Sequence, residues 1–284
     1  MNTTINWPEI IAGNEKMWLS AYGRLEEDTR EYPWLQRWGA QMLWFLGLPS
    51  QVVEEAYKVA EYLKVDPDLV MAAQVVYDEG WIAEDAVPGH GCTSVSTDKG
   101  FGRNMDYAYP ENASDYIYHQ DIQVGDTSLH IEGFAGVLGW LAYRGDTSAA
   151  SFNQAPALRK IRRTKTPGLM WFREHSLLLE SLEDSDIADE GDVWVNPTAS
   201  DFLLHFVKGD RRFLGEVFDG QLVWERQHKK AVQANTYQIL DLEAHADWTE
   251  DSDYRISVAR KARGIKSSLA AAANEYTADS IILM

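Results

Sequence analysis

The sequence predicts an α+β fold in which helices cover a largely antiparallel sheet system. Three observations predict it. Residues 1–90 read as helical, most of the chain beyond Cys92 reads as strands with helices interleaved, and a helix returns over 252–273. The composition, 45% hydrophobic and 25% charged over 284 residues, is that of a globular chain with ample material for a core.

Each element carries its own signal. Pro49-Ser50 opens a helix with Val52, Val53, Ala56, Val59, Ala60 and Leu63 on one face. Asp66 is an N-cap with Pro67 at the first helical position, and Leu69, Val70, Ala73, Val76 and Tyr77 continue the stripe. Gly80, Pro88, Gly89 and Gly91 break the pattern and mark a mobile connection. Thr93–Thr97 is β-prone, Asp98-Lys99-Gly100 is a turn, and Phe101 begins the returning strand. Tyr116–Val124 and Ser128–Phe134 form a further pair around Gly125-Asp126. Val193-Trp194-Val195, Phe202–Val207 and Leu222-Val223-Trp224 are later strands, and the acidic stretch Glu180–Asp192 is an exposed loop. No internal repeat or low-complexity linker interrupts the chain.

Charge narrows the partners. The formal net charge is −18, which repels a phosphate backbone and excludes nucleic acid as a partner. The seven histidines show neither HxH nor HxxxH spacing, so no metal and no cofactor is expected. Met1–Pro8 has neither a basic region nor an apolar one, and a single cysteine cannot make an internal disulfide; both point to the cytoplasm. Six of the eleven Trp (Trp7, Trp18, Trp34, Trp38, Trp44, Trp81) precede Cys92, so this region packs on something extensive. Met42–Leu48 is too short to span a bilayer and is either a packed helix or a transient membrane contact. Arg159–Lys165 is either a solvated basic face or a contact for an anionic head group.

The lone Cys92 is either a small core side chain or a nucleophile. It lies in Gly91-Cys92-Thr93-Ser94-Val95, with Gly102-Arg103-Asn104-Met105-Asp106 shortly after. If the Gly91–Cys92 bond breaks, one residue carries both a thiol and a free α-amine, whose ordinary pKa of about 7.7–8.0 suits a general base. Arg103 can supply the cation that favours thiolate and Asp106 the carboxylate that holds the amine, if the hairpin folds them back. The plainer reading of Arg103 and Asp106 is a surface ion pair.

These two segments resemble the nucleophile run and the Gly-Arg-Asn-(Met/Leu)-Asp-aromatic segment of the acid ceramidase and N-acylethanolamine acid amidase family. That family belongs to the choloylglycine hydrolase-like N-terminal-nucleophile cysteine hydrolases. Phe134–Gly139, Val232–Tyr237 and Asp251–Arg255 resemble three further family segments, so the likeness covers roughly residues 45–265. The Cys92-to-Arg103 spacing is shorter than is usual there, which implies a trimmed hairpin. Where the family often has Asn-Glu-Arg, this chain has Asn153-Gln154-Ala155, so a carboxylate and a cation are missing.

The resemblance implies an αββα sandwich and self-cleavage at Gly91–Cys92. The products would be a helical segment, 1–91, and a catalytic segment, 92–284, which remain paired as a two-chain heterodimer. It implies Cys92 as nucleophile and new N-terminus, Arg103 beside the thiol and Asp106 on the α-amine. Asn235 would be the oxyanion donor through its amide, and Arg255 an electrostatic support. The implied activity is hydrolysis of a linear amide of a fatty or other apolar acyl group through a thioester, on a small-molecule N-acyl amide. An acyltransferase on the same scaffold and a non-catalytic binding protein are the alternatives.

Overall fold

The computed structural model describes residues 5–31, 50–80, 91–106, 113–154, 168–194, 201–242, 246–274 and 277–283. Met42–Leu48, Arg159–Lys165, Trp34, Trp38, Trp81, His90, Tyr107 and Ala155 lie outside the described residues. Among those described are seven α-helices, twelve strands and two 3-10 turns.

Four helices come first: α1 (Trp7–Ile11), α2 (Glu15–Glu31), α3 (Ser50–Leu63) and α4 (Pro67–Gly80). Helix α3 buries Val52, Ala56, Val59, Ala60 and Leu63, spaced three and four apart as a helix face requires, while Val53 is only half-buried. Glu55 lies on the same buried face, 0% exposed. Its carboxylate accepts from the Trp7 indole at 2.8 Å and the Ile5 amide at 3.1 Å, and pairs with Arg173 at 2.8 Å. At the start of α4 the Asp66 side chain accepts from the Asp68 amide at 2.9 Å, the expected cap.

The strands form two antiparallel sheets. The smaller has the order β11-β1-β2-β12, from β1 (Gly91–Thr97), β2 (Gly100–Asp106), β11 (Ala231–Gln233) and β12 (Thr277–Leu283). The larger has the order β3-β4-β5-β6-β8-β9-β10-β7. Its strands are β3 (Ile117–Val124), β4 (Thr127–Phe134), β5 (Ala142–Arg144), β6 (Ser148–Gln154), β7 (Glu190–Trp194), β8 (Phe202–Lys208), β9 (Arg211–Phe218) and β10 (Gln221–Gln227). The small sheet faces the large one through β1 and β2 against β6.

Helices α6 (Ala246–Lys261) and α7 (Gly264–Ala272) pack on the small sheet, joined to it by Val95, Val232, Ala234, Ile256, Ile265 and Leu269. Helix α5 (Gly168–Ser181) packs on β6 and β8 of the large sheet, with Phe172 on Phe152 and Trp171 on Phe202. Trp18 of α2 meets Tyr118 of β3 at 5.9 Å, so the first helices share one continuous apolar core with the strands beyond Cys92. Arg173 joins the two groups of helices, holding Glu55 and the Leu138 carbonyl, the latter at 2.9 Å.

Several expectations need correction. The helix expected over 252–273 is two helices, broken at Ala262-Arg263. Gly264 there has φ +73, a left-handed conformation that a straight helix does not allow. Glu180–Asp192 is not one loop: it holds the end of α5, a 3-10 turn at Asp184–Asp186 and the start of β7. Tyr116 ends a 3-10 turn and does not open β3. Gly91, expected in the connection after Gly80, opens β1.

Candidate active site

The hairpin β1–β2 builds the centre of the site. Thr97 pairs with Gly100 across a two-residue turn, so Cys92 stands opposite Met105, Ser94 opposite Arg103, and Gly91 opposite Asp106. Side chains of a strand alternate between faces. Cys92, Ser94, Ser96 and Arg103 therefore point between the sheets, while Thr93 and Asp106 point toward α6 and α7. The spacing that reads as a turn in the sequence thus decides which groups meet the thiol.

Between the sheets lies a polar layer. The Arg103 guanidinium donates from Nη2 to the Cys92 Sγ at 2.7 Å and from Nη1 to Glu132 of β4 at 2.9 Å. All three side chains are at most 1% exposed. Beside them, Asn153 donates to Ser94 Oγ at 3.0 Å, and His205 bridges Ser94 and Ser96 at 2.8 Å each. Burial pushes the His205 pKa down to about 3, so the ring bridges the two serines as a neutral imidazole.

Behind the small sheet, Arg255 of α6 gathers the remaining groups. It donates to the Cys92 carbonyl at 3.0 Å, to Thr93 Oγ1 at 2.8 Å and to Asn235 Oδ1 at 3.0 Å. Asp251, one helical turn earlier, pairs with its Nε at 2.7 Å. Asn235 Oδ1 also accepts the Cys92 N–H at 2.9 Å. Asn235 comes directly after β11 and Ala234, and Ser252 Oγ accepts its backbone N–H at 3.1 Å.

Cys92, Arg103, Asp106, Asn235 and Arg255, far apart in the chain, thus meet in one buried cluster. Arg103 is not a surface ion pair with Asp106: its partners are the thiol and Glu132. Asp106, expected on the α-amine that cleavage would free, has other partners in the intact chain. The Cys92 nitrogen is held by Asn235, while Asp106 Oδ1 accepts from Thr277 Oγ1 at 2.6 Å and Oδ2 stands 3.6 Å from Arg255. A peptide nitrogen carries a single hydrogen, and here Asn235 takes it. Among the described residues Asp106 Oδ2 is buried with no hydrogen-bond partner, an acceptor in reserve.

Electrostatics in the cluster are opposed. Burial pushes the Cys92 thiol up, and Arg103 works against that rise. Burial likewise raises Asp106, to about 6, against the pull of Arg255 and Thr277. Glu132 is also raised by burial, with Arg103 opposing.

Reasoning from sequence missed Glu132, Thr277 and His205 as members of this network, and noted Asn153 only as the start of a segment that departs from the family's. Glu132 carried one signal, a carboxylate in a strand with apolar neighbours. Thr277 carried none, because β12 joins the sheet from the far end of the chain. Among the described residues no group of His, Cys, Asp and Glu is placed to hold a metal ion, and no helix is long and apolar enough to cross a membrane. Compared with known proteins, the chain matches no family model and no curated protein.

Proposed function

We propose that the protein is an autoprocessing cysteine amidohydrolase on an αββα scaffold of the N-terminal-nucleophile type, with Cys92 as nucleophile. One observation carries the reading. The sole thiol opens an inner strand with a guanidinium 2.7 Å from its sulfur and an amide oxygen 2.9 Å from its nitrogen. A structural cysteine packed among apolar groups has no use for a guanidinium on its sulfur, while the amide oxygen satisfies the backbone N–H.

In the first step Cys92 Sγ attacks the Gly91 carbonyl carbon. A C–S bond forms and the C–N bond to Cys92 breaks, giving a thioester and a free α-amine. Water hydrolyses the thioester, leaving a Gly91 carboxylate and the Cys92 thiol. The new amine carries more hydrogens than the peptide nitrogen, and the reserve oxygen of Asp106 accepts one of them.

In turnover the α-amine takes the thiol proton, and the thiolate attacks the substrate amide carbon. The Asn235 amide stabilises the oxyanion. With Oδ1 held by Cys92 and Arg255, its Nδ2 is the half assigned to that role. The amine leaves with a proton, and water cleaves the thioester. The substrate class, a linear amide of an apolar acyl group, rests on the resemblance of the Cys92 and Arg103 segments to the acid ceramidase family.

Intact mass of the purified protein tests the first step. Two fragments meeting at Gly91–Cys92 are expected from the wild type, and one intact chain from Cys92→Ala. A wild type that stays uncleaved at every pH tried overturns the reading in favour of a binding protein. Product analysis with an added amine separates hydrolysis from acyl transfer.

A further inference from the structure

We propose that Glu132 of β4 is the positioning residue that holds Arg103 on the Cys92 thiol, supplying from a different strand the carboxylate missing at Asn153-Gln154-Ala155. The inference rests on the reading of Cys92 as nucleophile.

The geometry is direct. Arg103 presents its two terminal nitrogens to two partners, Nη2 to the sulfur at 2.7 Å and Nη1 to Glu132 Oε1 at 2.9 Å. Because a guanidinium is planar and rigid, fixing Nη1 fixes the direction of Nη2. Among the described residues nothing else secures this group: Arg103 Nε is buried without a hydrogen-bond partner. Without Glu132 only the thiol would define where the charge sits. On β6, Asn153 donates to Ser94 and not to this group.

Glu132 therefore has two opposed effects. Its negative charge disfavours thiolate, while its reach keeps the cation on the sulfur. The other charged group acting on the thiol is Asp106, with Arg255 reaching only the Cys92 carbonyl. Two substitutions separate charge from reach. Glu132→Asp keeps the charge but falls one methylene short of Nη1. Glu132→Gln keeps an oxygen within reach and drops the charge.

The chain has one cysteine, so thiolate absorbance, corrected with Cys92→Ser, titrates this thiol alone, whether or not the protein turns over a substrate. Losing an opposite charge at hydrogen-bond distance raises a thiol midpoint by about one pH unit or more. Glu132→Asp is therefore expected to raise the midpoint by about that much, with Glu132→Gln at or below the wild type. A Glu132→Asp midpoint equal to or below the wild type overturns the proposal, since charge alone would then account for Glu132. Mass read on the same samples gives the cleavage state, which bears on the nucleophile reading, and midpoints are compared between samples in the same state because a freed Cys92 α-amine would itself shift the thiol.

Discussion

Asn235 joins two duties that substitution can separate. Its Oδ1 holds the Cys92 N–H at 2.9 Å and Arg255 Nη2 at 3.0 Å, and its Nδ2 is the proposed oxyanion donor. Asn235→Ala removes both halves. It leaves a buried amide and one arm of a buried guanidinium short of an acceptor, at about 1–3 kcal/mol for an unpaired buried donor. Asn235→Asp keeps an oxygen at Oδ1 and removes the N–H donors, while adding a buried carboxylate to an Arg255 that already pairs with Asp251. Loss of one oxyanion donor slows acyl transfer by about a hundredfold to a thousandfold, or roughly 2.7–4 kcal/mol of barrier. Asn235→Asp should therefore self-cleave and turn over at least about a hundredfold slower under conditions where equilibrium unfolding shows it folded. Asn235→Ala should lose on both counts. The assays are equilibrium unfolding and the rate of fragment appearance by mass. A self-cleavage rate within a few-fold of wild type in Asn235→Asp would remove the amide from the mechanism.

Other consequences are testable together. Asp106 has a folded pKa of about 6 against an ordinary 3.8, so the folded state binds its proton more tightly than the unfolded one. Its contribution to stability is full below 3.8 and is lost as pH rises through about 6; in the uncleaved Cys92→Ala background the Tm, relative to Asp106→Asn in the same background, should fall across that window and then level off. A flat difference counts against the burial of this carboxylate. Glu55→Ala strands Arg173, 3% exposed, without its carboxylate and should cost about 3–5 kcal/mol in urea unfolding, whereas a loss under about 1 would show that the pair does not anchor the first helices. In Gly102→Ala the new methyl would meet Ile265 at 2.7 Å, Leu269 at 2.9 Å and the Ile281 carbonyl at 3.0 Å, so thermal unfolding should show a loss of about 1–3 kcal/mol. An unchanged Tm there would mean that α7 sits further from β2.

Much of the fold was legible because its signals are local. The stripe Val52-Ala56-Val59-Leu63, the cap at Asp66 and the turn after Thr97 each arise from residues a few positions apart, and each stands where expected. The strands that went unread, β5, β6, β9, β11 and β12, are short, rich in small residues or broken by a glycine such as Gly215. Their pairing, not their own propensity, makes them strands.

The site divides in the same way. Sequence alone singled out the candidate side chains, since a solitary thiol after glycine and an Arg-Asn-Met-Asp run are readable residue by residue. Only the tertiary structure decided who touches whom. It set Asn235 on the Cys92 peptide nitrogen, and it brought Glu132 from β4 to the cation that the sequence set beside the thiol. The physical reason is that a buried charge must find its partner in space, from whichever strand the packing brings near, and sheet order is not written in any one segment.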